Sequence, residues 1–227
     1  FAEASFARNH SIGRIAPVPI DSTAGHFDRT TGEYPSFKMP TSSPYFPAAL
    51  LGKLGYTAAD WDPGNTGMVE VALRAVPLGN RINDNTNSQS RLVLGARGLL
   101  AGWDYDAGLT LAKSKGSLRY ENYVHEAKFI KALATGNINP FGASTDMAAW
   151  NSARMEGPMR RSTSTVTEFD AKASRELMPM AGGNMAVAVG VDLRREKAKD
   201  RPVNDDYAAG LHVGGEGTVP PTSASRT

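Results

Sequence analysis

The 227-residue sequence predicts an all-β fold that is built from antiparallel hairpins. Two segments, residues 91–114 and residues 162–197, alternate apolar and polar side chains with the period of two that a β-strand requires. A short turn that contains glycine divides each segment into two strands. The chain also has no run of about 18 apolar residues, so the sequence predicts no transmembrane helix.

The first hairpin has one apolar face and one charged face. Before the turn, the even positions of residues 92–100 are apolar or small, whereas the odd positions of the strand include Arg91 and Arg97. After the turn, the odd positions are mainly apolar and the opposite face carries Asp104 and Asp106. Opposite charges on neighbouring strands can pair across the ladder, so we expect these arginines and aspartates to share one face.

Trp103 and Tyr105 stand together beside the turn, on the apolar face of their strand. Large rings with a polar tip are typical of the aromatic girdle of a membrane β-barrel, where they lie at the depth of the lipid headgroups. The same pair also fits an ordinary hairpin of a soluble β-domain, in which both rings pack at one end. This hairpin alone therefore leaves both environments open.

The second hairpin repeats this design. In its second strand the odd positions of residues 185–193 are apolar, and the even positions include Asp192 and Arg194. Each hairpin joins its strands by a short turn, whereas the connections outside the hairpins are long. We therefore expect the two turns, at residues 101–102 and 180–184, to lie at the same end of one antiparallel sheet.

The remaining regions have the composition of loops. Proline, glycine, serine and threonine are dense before residue 67, which is typical of irregular connections. Phe129, Ile130 and Leu133 have helical spacing, and Gly136 predicts the end of that short helix. The predicted organisation begins with a long loop over residues 1–67. Residues 68–114 contain a doubtful strand, at 68–76, and the first hairpin. A long loop with the short helix follows over residues 115–160, then the second hairpin over 161–198 and the start of another loop over 199–227.

Short turns at one end and long connections at the other are typical of an outer-membrane β-barrel, which has short periplasmic turns and long extracellular loops. A soluble β-sandwich has no reason to keep all of its long loops at one end. We therefore predict transmembrane hairpins from an incomplete barrel, in which the apolar faces meet lipid and Trp103 and Tyr105 anchor the membrane interface. The predicted lumen-facing charges are Arg91, Arg97, Asp104, Asp106, Asp192 and Arg194.

Composition and motif spacing argue against several other functions. The net charge is only +2 and no cysteine is present, so nothing indicates nucleic-acid binding, disulfides or thiolate chemistry. The histidines, at positions 10, 26, 125 and 212, have no metal-ligand spacing and are predicted to be solvated loop residues. No phosphate-loop or nucleophile-elbow pattern occurs. We therefore predict a protein that is not an enzyme and that uses no cofactor.

Five runs of the sequence also share features of one family of membrane proteins. They are SPYFPAALLGKLG, ALRAVPLGNRINDNTNSQSRLVLGARG, GWDYDAGLTLAKSKGS, KALATGNINPFG and ASRELMPMAGGNMAVAVGVDLRREKAKDRP. These runs resemble the barrel portion of TonB-dependent outer-membrane receptors. The resemblance implies a location in the outer membrane of a Gram-negative bacterium. It also implies uptake of a scarce ligand, such as a ferric siderophore, a corrinoid, an oligosaccharide or a peptide.

The partners that the resemblance implies are outer-membrane lipid, a plug domain that closes the lumen, an inner-membrane energy-coupling complex that moves the plug, and a small-molecule, sugar or peptide ligand. Plugged outer-membrane transporters have about 22 strands, whereas the hairpins here supply only four. We therefore expect the chain to be an internal fragment of such a barrel. Two alternatives stay open: a soluble or secreted β-rich binding module of the adhesin or carbohydrate-binding type, and a porin-like barrel without a plug.

Overall fold

A computed structural model of the chain describes residues 1–22, 34–142, 147–215 and 217–227. Long β-strands dominate it, and short helices lie in the connections. The strands in chain order are β1 (Ala2–Ile15), β2 (Pro19–Ile20), β3 (Lys38–Pro40), β4 (Met68–Glu70), β5 (Leu73–Arg74), β6 (Arg81–Leu100), β7 (Trp103–His125), β8 (Arg154–Met180), β9 (Gly183–Pro202), β10 (His212–Val213) and β11 (Thr222–Arg226). The helices are α1 (Ala48–Lys53), α2 (Ala58–Trp61), α3 (Glu126–Ala134), α4 (Met147–Ser152), α5 (Asp205–Ala208) and a 3-10 turn (Val76–Leu78).

Six of the strands form one large antiparallel sheet in the order β1-β6-β7-β8-β9-β11, and β10 pairs with the end of β7. Two small antiparallel ladders, β2 with β5 and β3 with β4, form separate sheets. The predicted all-β, antiparallel fold is therefore confirmed. Within the described residues, β1 and β11 are the two edges of the large sheet and no ladder joins them, so the sheet is open there.

The two tight turns lie at the same end of the sheet, as predicted. β6 and β7 meet at residues 101–102, and the β8–β9 ladder ends with Met180 opposite Gly183. β7 and β8 are antiparallel neighbours in which Asp104 lies opposite Ser174. The start of β7 and the end of β8 therefore lie side by side, and both turns lie next to them.

Ala101 is the strained position of the β6–β7 turn. Its φ is 52° and that of Gly102 is 78°, so both central residues have the left-handed conformation of a type I′ turn. We expect Ala101→Asn to raise the free energy of unfolding by about 0.5–1 kcal/mol in chemical denaturation, because asparagine tolerates this conformation better than alanine. Gly102→Ala is the matched control and should lower it by about 1 kcal/mol. Equal stability of the three proteins would contradict the turn type.

The strands extend further toward the long connections than the alternation predicted. β1 lies within the expected loop over residues 1–67, and β6 begins at Arg81, ahead of the expected hairpin over residues 91–114. β7 continues to His125 within the expected loop over residues 115–160. These extensions are rich in polar residues on both faces, as in the run NDNTNSQS of β6, so alternation does not mark them. Their backbone groups are satisfied by the ladders with neighbouring strands, which gives them an extended conformation.

The long connections pack together at the end of the sheet opposite the tight turns. We name this region the long-loop unit; it consists of the described residues between β1 and β6, between β7 and β8, and between β9 and β11. The expected short helix is present as α3, whose Phe129 and Leu133 are buried, and Gly136 follows it with a φ of 73°. The doubtful strand at 68–76 is divided between β4 and β5, which pair outside the large sheet.

A hydrophobic core holds the long-loop unit together. The ring centroid of Phe129 lies 6.1 Å from that of Phe37 and 5.5 Å from that of Trp150, and all three rings are buried. The unit is therefore more ordered than the mostly irregular loops that the composition predicted. The buried core residues are Val18, Ile20, Phe37, Met39, Val71, Ala75, Leu78, Val124, Phe129, Leu133, Ile138, Trp150, Ala153 and Val213.

Candidate functional site: the two faces of the sheet

The ladder register aligns the apolar positions of four neighbouring strands. Leu94 of β6 lies opposite Leu109 of β7. Phe169 of β8 is the partner of Leu109 on its other side, and Leu193 of β9 lies opposite Phe169. We define the apolar band by the large side chains on this face, which are Leu92, Leu94, Leu100, Trp103, Tyr105, Leu109, Leu111, Phe169, Met185, Val187, Val189, Val191 and Leu193.

Much of the apolar band is exposed. Leu94, Phe169 and Leu193, which belong to one row across the sheet, are 46%, 42% and 63% exposed. On β9 the band runs from Met185 to Leu193, and the length of this run, about nine residues, falls in the range of about 9–11 residues that a tilted strand needs to cross a bilayer. A contiguous apolar surface of this kind marks a site of contact with another protein or with a membrane.

Trp103 and Tyr105 lie on the apolar band at the end that carries the tight turns. Trp103 is opposite Leu100, and Tyr105 is opposite Gly98 in the β6–β7 ladder. A Cβ atom added at Gly98 would lie 3.2 Å from the hydroxyl oxygen of Tyr105, so the tyrosine side chain covers the glycine. Both rings thus lie beside the turn on the apolar face, and their role as membrane-interface anchors stays a prediction.

The predicted lumen-facing charges share the face opposite the apolar band, which we name the charged face. The register gives this placement, because each of these residues alternates with band residues along its strand or lies opposite a residue that does. The six residues on this face are Arg91, Arg97, Asp104, Asp106, Asp192 and Arg194. The structure therefore brings them to one surface, and their role in a lumen stays a prediction.

Pairing on the charged face differs from the pairing expected between β6 and β7. Arg97 lies opposite Asp106 in the ladder, but Asp106 forms its ion pair with Lys172 of β8, at 3.9 Å between Oδ2 and Nζ. The guanidinium of Arg97 lies over the ring of Phe1, 6.0 Å from the ring centroid. Alternation within one hairpin does not predict this arrangement, because it depends on β1 lying beside β6 and on β8 lying beside β7.

Arg194 forms two further ion pairs on the charged face. Its Nη1 atom lies 3.7 Å from Oε2 of Glu168, and its Nη2 atom lies 2.5 Å from Oε1 of Glu196. Glu168 and Lys172 were not among the predicted site residues, although their even positions in β8 put them on the same face. The groups of each pair are partly exposed, so each pair contributes little to stability.

Asp170 and Asp192 are direct partners in the β8–β9 ladder, so two acidic side chains face each other on the charged face. Like charges in opposite positions destabilise a ladder. We expect Asp192→Asn to raise the free energy of unfolding by about 0.2–1 kcal/mol at neutral pH, with a smaller gain in high salt. The control Glu196→Gln removes a partner of Arg194 and should have the opposite sign. A loss of stability in Asp192→Asn would contradict the repulsion.

The charged face is the concave side of the sheet. A groove of about 680 Å³ crosses the strands, and both edges of the sheet line it, β1 through Ala7 and β11 through Ala224. The polar lining residues on the charged face include Asn87, Gln89, Ser114, Ser162, Ser164 and Asp200.

Two histidines lie buried in or beside the long-loop unit, which corrects the prediction that they are solvated loop residues. His125 is the last residue of β7 and the direct partner of His212 in β10, and both side chains are buried. The Nε2 atom of His125 lies 3.2 Å from Oδ2 of Asp206. α5 and β10 return to the end of β7, which brings together two histidines that are distant in sequence.

The other two histidines have different positions. His10 lies on β1 with its Nε2 atom 2.7 Å from Oδ1 of Asp84 on β6, so it is a strand residue and not a loop residue. His26 lies outside the described residues. In the part of the chain that the structure describes, no group of three or more histidine, cysteine, aspartate or glutamate side chains is placed to hold a metal ion.

Two carboxyl groups of the long-loop unit have lowered pKa values. The hydroxyl and the backbone N–H of Thr57 donate to Oδ2 of Asp60, at 2.7 and 2.6 Å. The backbone N–H and the hydroxyl of Thr66 donate to Asp62, both at 2.8 Å, and the N–H of Gly67 donates at 2.7 Å. Hydrogen bonds to the ionised form lower the pKa of each carboxyl group. Both carboxyl groups therefore stay ionised to a lower pH than an ordinary aspartate.

The fold and its two faces define the chain as an antiparallel, all-β protein with a curved sheet that is apolar on its convex side and charged on its concave side. No helix among the described residues is long and apolar enough to span a membrane. Comparisons with protein-family models, with curated protein sequences and with solved structures find no match to this chain.

Proposed function

We propose that the large sheet is part of the wall of a TonB-dependent receptor barrel in the outer membrane of a Gram-negative bacterium. In this proposal the apolar band meets lipid and the charged face lines an aqueous lumen. The observation that carries the proposal is the exposed apolar band, which is aligned across β6, β7, β8 and β9 on the convex side of the sheet. Transmembrane β-barrels have this polarity, apolar outside and polar inside.

An uncovered apolar band is energetically unfavourable in water. Transfer of one large apolar side chain from water to apolar surroundings is worth about 1.5–3 kcal/mol. Leu100, Val189 and Leu193 are more than half exposed, and no other part of the described chain covers them. Lipid is a cover that fits the length of the band and the alternation of its strands.

The sheet edges add a requirement to this proposal. A bilayer core offers no water to unpaired backbone groups, so membrane strands occur in closed barrels. β1 and β11 are the edges of the large sheet in the described residues. The proposal therefore includes further strands that pair with β1 and β11 and close the wall.

The proposed orientation follows from the two ends of the sheet. The tight turns belong on the periplasmic side and the long-loop unit on the extracellular side, because outer-membrane barrels have short periplasmic turns and long outer loops. Trp103 and Tyr105 then lie at the periplasmic membrane interface, where aromatic rings are enriched. The long-loop unit is then the surface that meets a siderophore, corrinoid, oligosaccharide or peptide.

The receptor part of the proposal is supported by the resemblance of the five sequence runs and by the charged face. Ion pairs such as Arg194 with Glu168 and Lys172 with Asp106 are individually weak. Weak contacts of this kind could hold a plug domain against the charged face. When an energy-coupling complex pulls the plug, these contacts can break one at a time. A porin-like barrel without a plug has the same wall and differs only in this respect.

A soluble or secreted β-rich binding module is the second candidate. The long-loop unit favours it, because a hydrophobic core holds these connections in place and binding residues are often found on loops that a rigid scaffold positions. In that case a second layer of protein must cover the apolar band, as in a β-sandwich.

Membrane partition separates these candidates. We expect the protein that carries this chain, expressed in its own type of cell, to sediment with outer membranes after cell breakage and to stay there in high salt and alkaline carbonate. Detergent should release it. A protein that stays in the supernatant without detergent would contradict the proposal and favour the soluble module. Release by salt alone would also contradict it, because lipid contact of the apolar band does not depend on ionic strength.

A further inference from the structure

The outward-facing side of β9 changes abruptly from apolar to basic. Its odd positions from Met185 to Leu193 belong to the apolar band. The next odd positions, toward the long-loop unit, are Arg195, Lys197 and Lys199, followed by Arg201. Four cations in succession on one side of one strand begin where the apolar residues end.

The same face of β7, on the other side of β8, shows a similar transition one row further toward the long-loop unit, because Thr167 lies between Leu111 and Arg195 in the ladders. In β7, Leu109 and Leu111 are followed on the same face by Lys113 and Lys115. Thr165 lies between Lys113 and Lys197 in the ladders, and Thr163 lies between Lys115 and Lys199. We define the basic belt by six residues, Lys113, Lys115, Arg195, Lys197, Lys199 and Arg201. Arg8 on β1 and Arg161 on β8 extend it on the same face.

The belt is not neutralised by the acidic residues of the same strands. Glu196 and Asp200 alternate with the belt residues of β9, so they face the concave side, where Glu196 pairs with Arg194 and Asp200 pairs with Arg160. All six belt side chains are exposed. No ion pair between described residues involves any of the six.

Such a belt is complementary to anionic groups. Side chains two residues apart on a strand are separated by about 7 Å, and neighbouring strands are about 4.8 Å apart, so the cations are close enough to repel one another. An anion between them removes that repulsion. A soluble anion would contact the belt but not the adjoining apolar band. An anionic lipid can contact both, with its headgroup at the belt and its acyl chains on the band. Lysine and arginine stems reach from apolar surface to such headgroups.

We propose that the basic belt binds the phosphate groups of anionic lipids in the membrane leaflet on the side of the long-loop unit. This inference rests on the proposed function, because it requires the apolar band to lie in a bilayer. The belt then fixes the depth of the sheet in the membrane from one side, and Trp103 and Tyr105 do so from the other. Attraction between basic side chains and an anionic membrane surface is short-ranged and is weakened by salt.

The test compares lipid selection by three proteins in mixed vesicles of phosphatidylcholine with a minority of phosphatidylglycerol. The first is the wild-type protein. The second carries Lys113→Gln, Lys197→Gln and Lys199→Gln in the belt. The third carries Lys53→Gln, Lys128→Gln and Lys131→Gln, which remove the same charge from exposed positions of the long-loop unit. Each protein is extracted in mild detergent, and the phosphatidylglycerol that it retains is measured against phosphatidylcholine.

We expect the wild type and the long-loop control to retain phosphatidylglycerol preferentially, and the belt variant to lose about tenfold in this preference. Inorganic phosphate should displace the lipid no better than chloride at equal ionic strength. Equal preference in all three proteins, or displacement by phosphate alone, would overturn the inference. Insertion of the wild type without any preference would overturn it while leaving the proposed function intact. Failure of the wild type to enter vesicles of either composition would overturn both.

Discussion

Leu109→Arg should lower the free energy of unfolding of the protein in a bilayer by about 2–4 kcal/mol. Leu109 lies between Leu94 and Phe169 on the apolar band, and in the proposed function this face meets lipid. A charge at this position must be placed near the middle of the bilayer, where an arginine on the lipid face of a barrel is most costly. The measurement is the equilibrium unfolding of the protein reconstituted in bilayers, with urea as denaturant.

Thr110→Arg is the matched control for this prediction, because the same substitution is made one residue along the same strand. Thr110 lies opposite Glu168 on the charged face, so a new guanidinium there keeps water and an acidic neighbour. Its cost should be on the order of 1 kcal/mol or less. Because a shift of one residue exchanges the two faces of a strand, equal costs, or a larger cost at Thr110, would mean that the apolar face does not meet lipid.

Phe129→Ala should destabilise the long-loop unit by about 3–5 kcal/mol. The Phe129 side chain is fully buried and contacts the rings of Phe37 and Trp150, so its removal leaves a cavity in the core and separates three elements. The expected result is faster amide hydrogen exchange in α3 and β3, with unchanged protection in the middle of β7 and β8. This pattern would show that the unit unfolds separately from the sheet.

Phe141→Ala is the control for the core substitution. Phe141 lies in the same connection as Phe129 but is 54% exposed, so its removal should change stability by less than about 0.5 kcal/mol. A similar effect of both substitutions would contradict the assignment of Phe129 to a packed core. Loss of protection throughout β7 and β8 in Phe129→Ala would show instead that the unit and the sheet unfold together.

The hairpins could be predicted because each of their strands has two different environments. Period-two alternation in residues 91–114 and 162–197 fixed the strands, their faces and the position of both turns, and the register of β6, β7, β8 and β9 agrees with it. The helix α3 could be predicted for a similar reason, because Phe129 and Leu133 face one core and Gly136 ends the segment.

The rest of the sheet could not be predicted because its residues carry no difference between two faces. β1 and the first half of β6 are polar or mixed on both sides, so their strand conformation is determined by partners that are distant in sequence. The pairing of His125 with His212 has the same origin, since it depends on the return of the chain after β9. Local sequence gives no signal for contacts of this kind.

For the candidate site, the sequence predicted which side chains share a face but not which ones pair. The six charged residues lie on one face, as alternation requires, whereas the partner of Asp106 is Lys172 on β8. The basic belt was visible in the sequence only as alternation in RREKAKDR. The belt can be recognised as one surface only from the ladder register, which places lysines of β7 in the same rows as those of β9.

Single-cysteine labelling along β9 tests lipid contact of the apolar band most directly, and the chain has no native cysteine that would interfere. Each variant carries a polarity-sensitive fluorophore and is reconstituted in bilayers that contain brominated lipid, which quenches only labels that contact lipid chains. Labels at Val187, Val189 and Val191 should be strongly quenched, and labels at Gly190 and Asp192 should not. Equal quenching along the strand, or stronger quenching at Gly190 and Asp192, would contradict a lipid-facing apolar band.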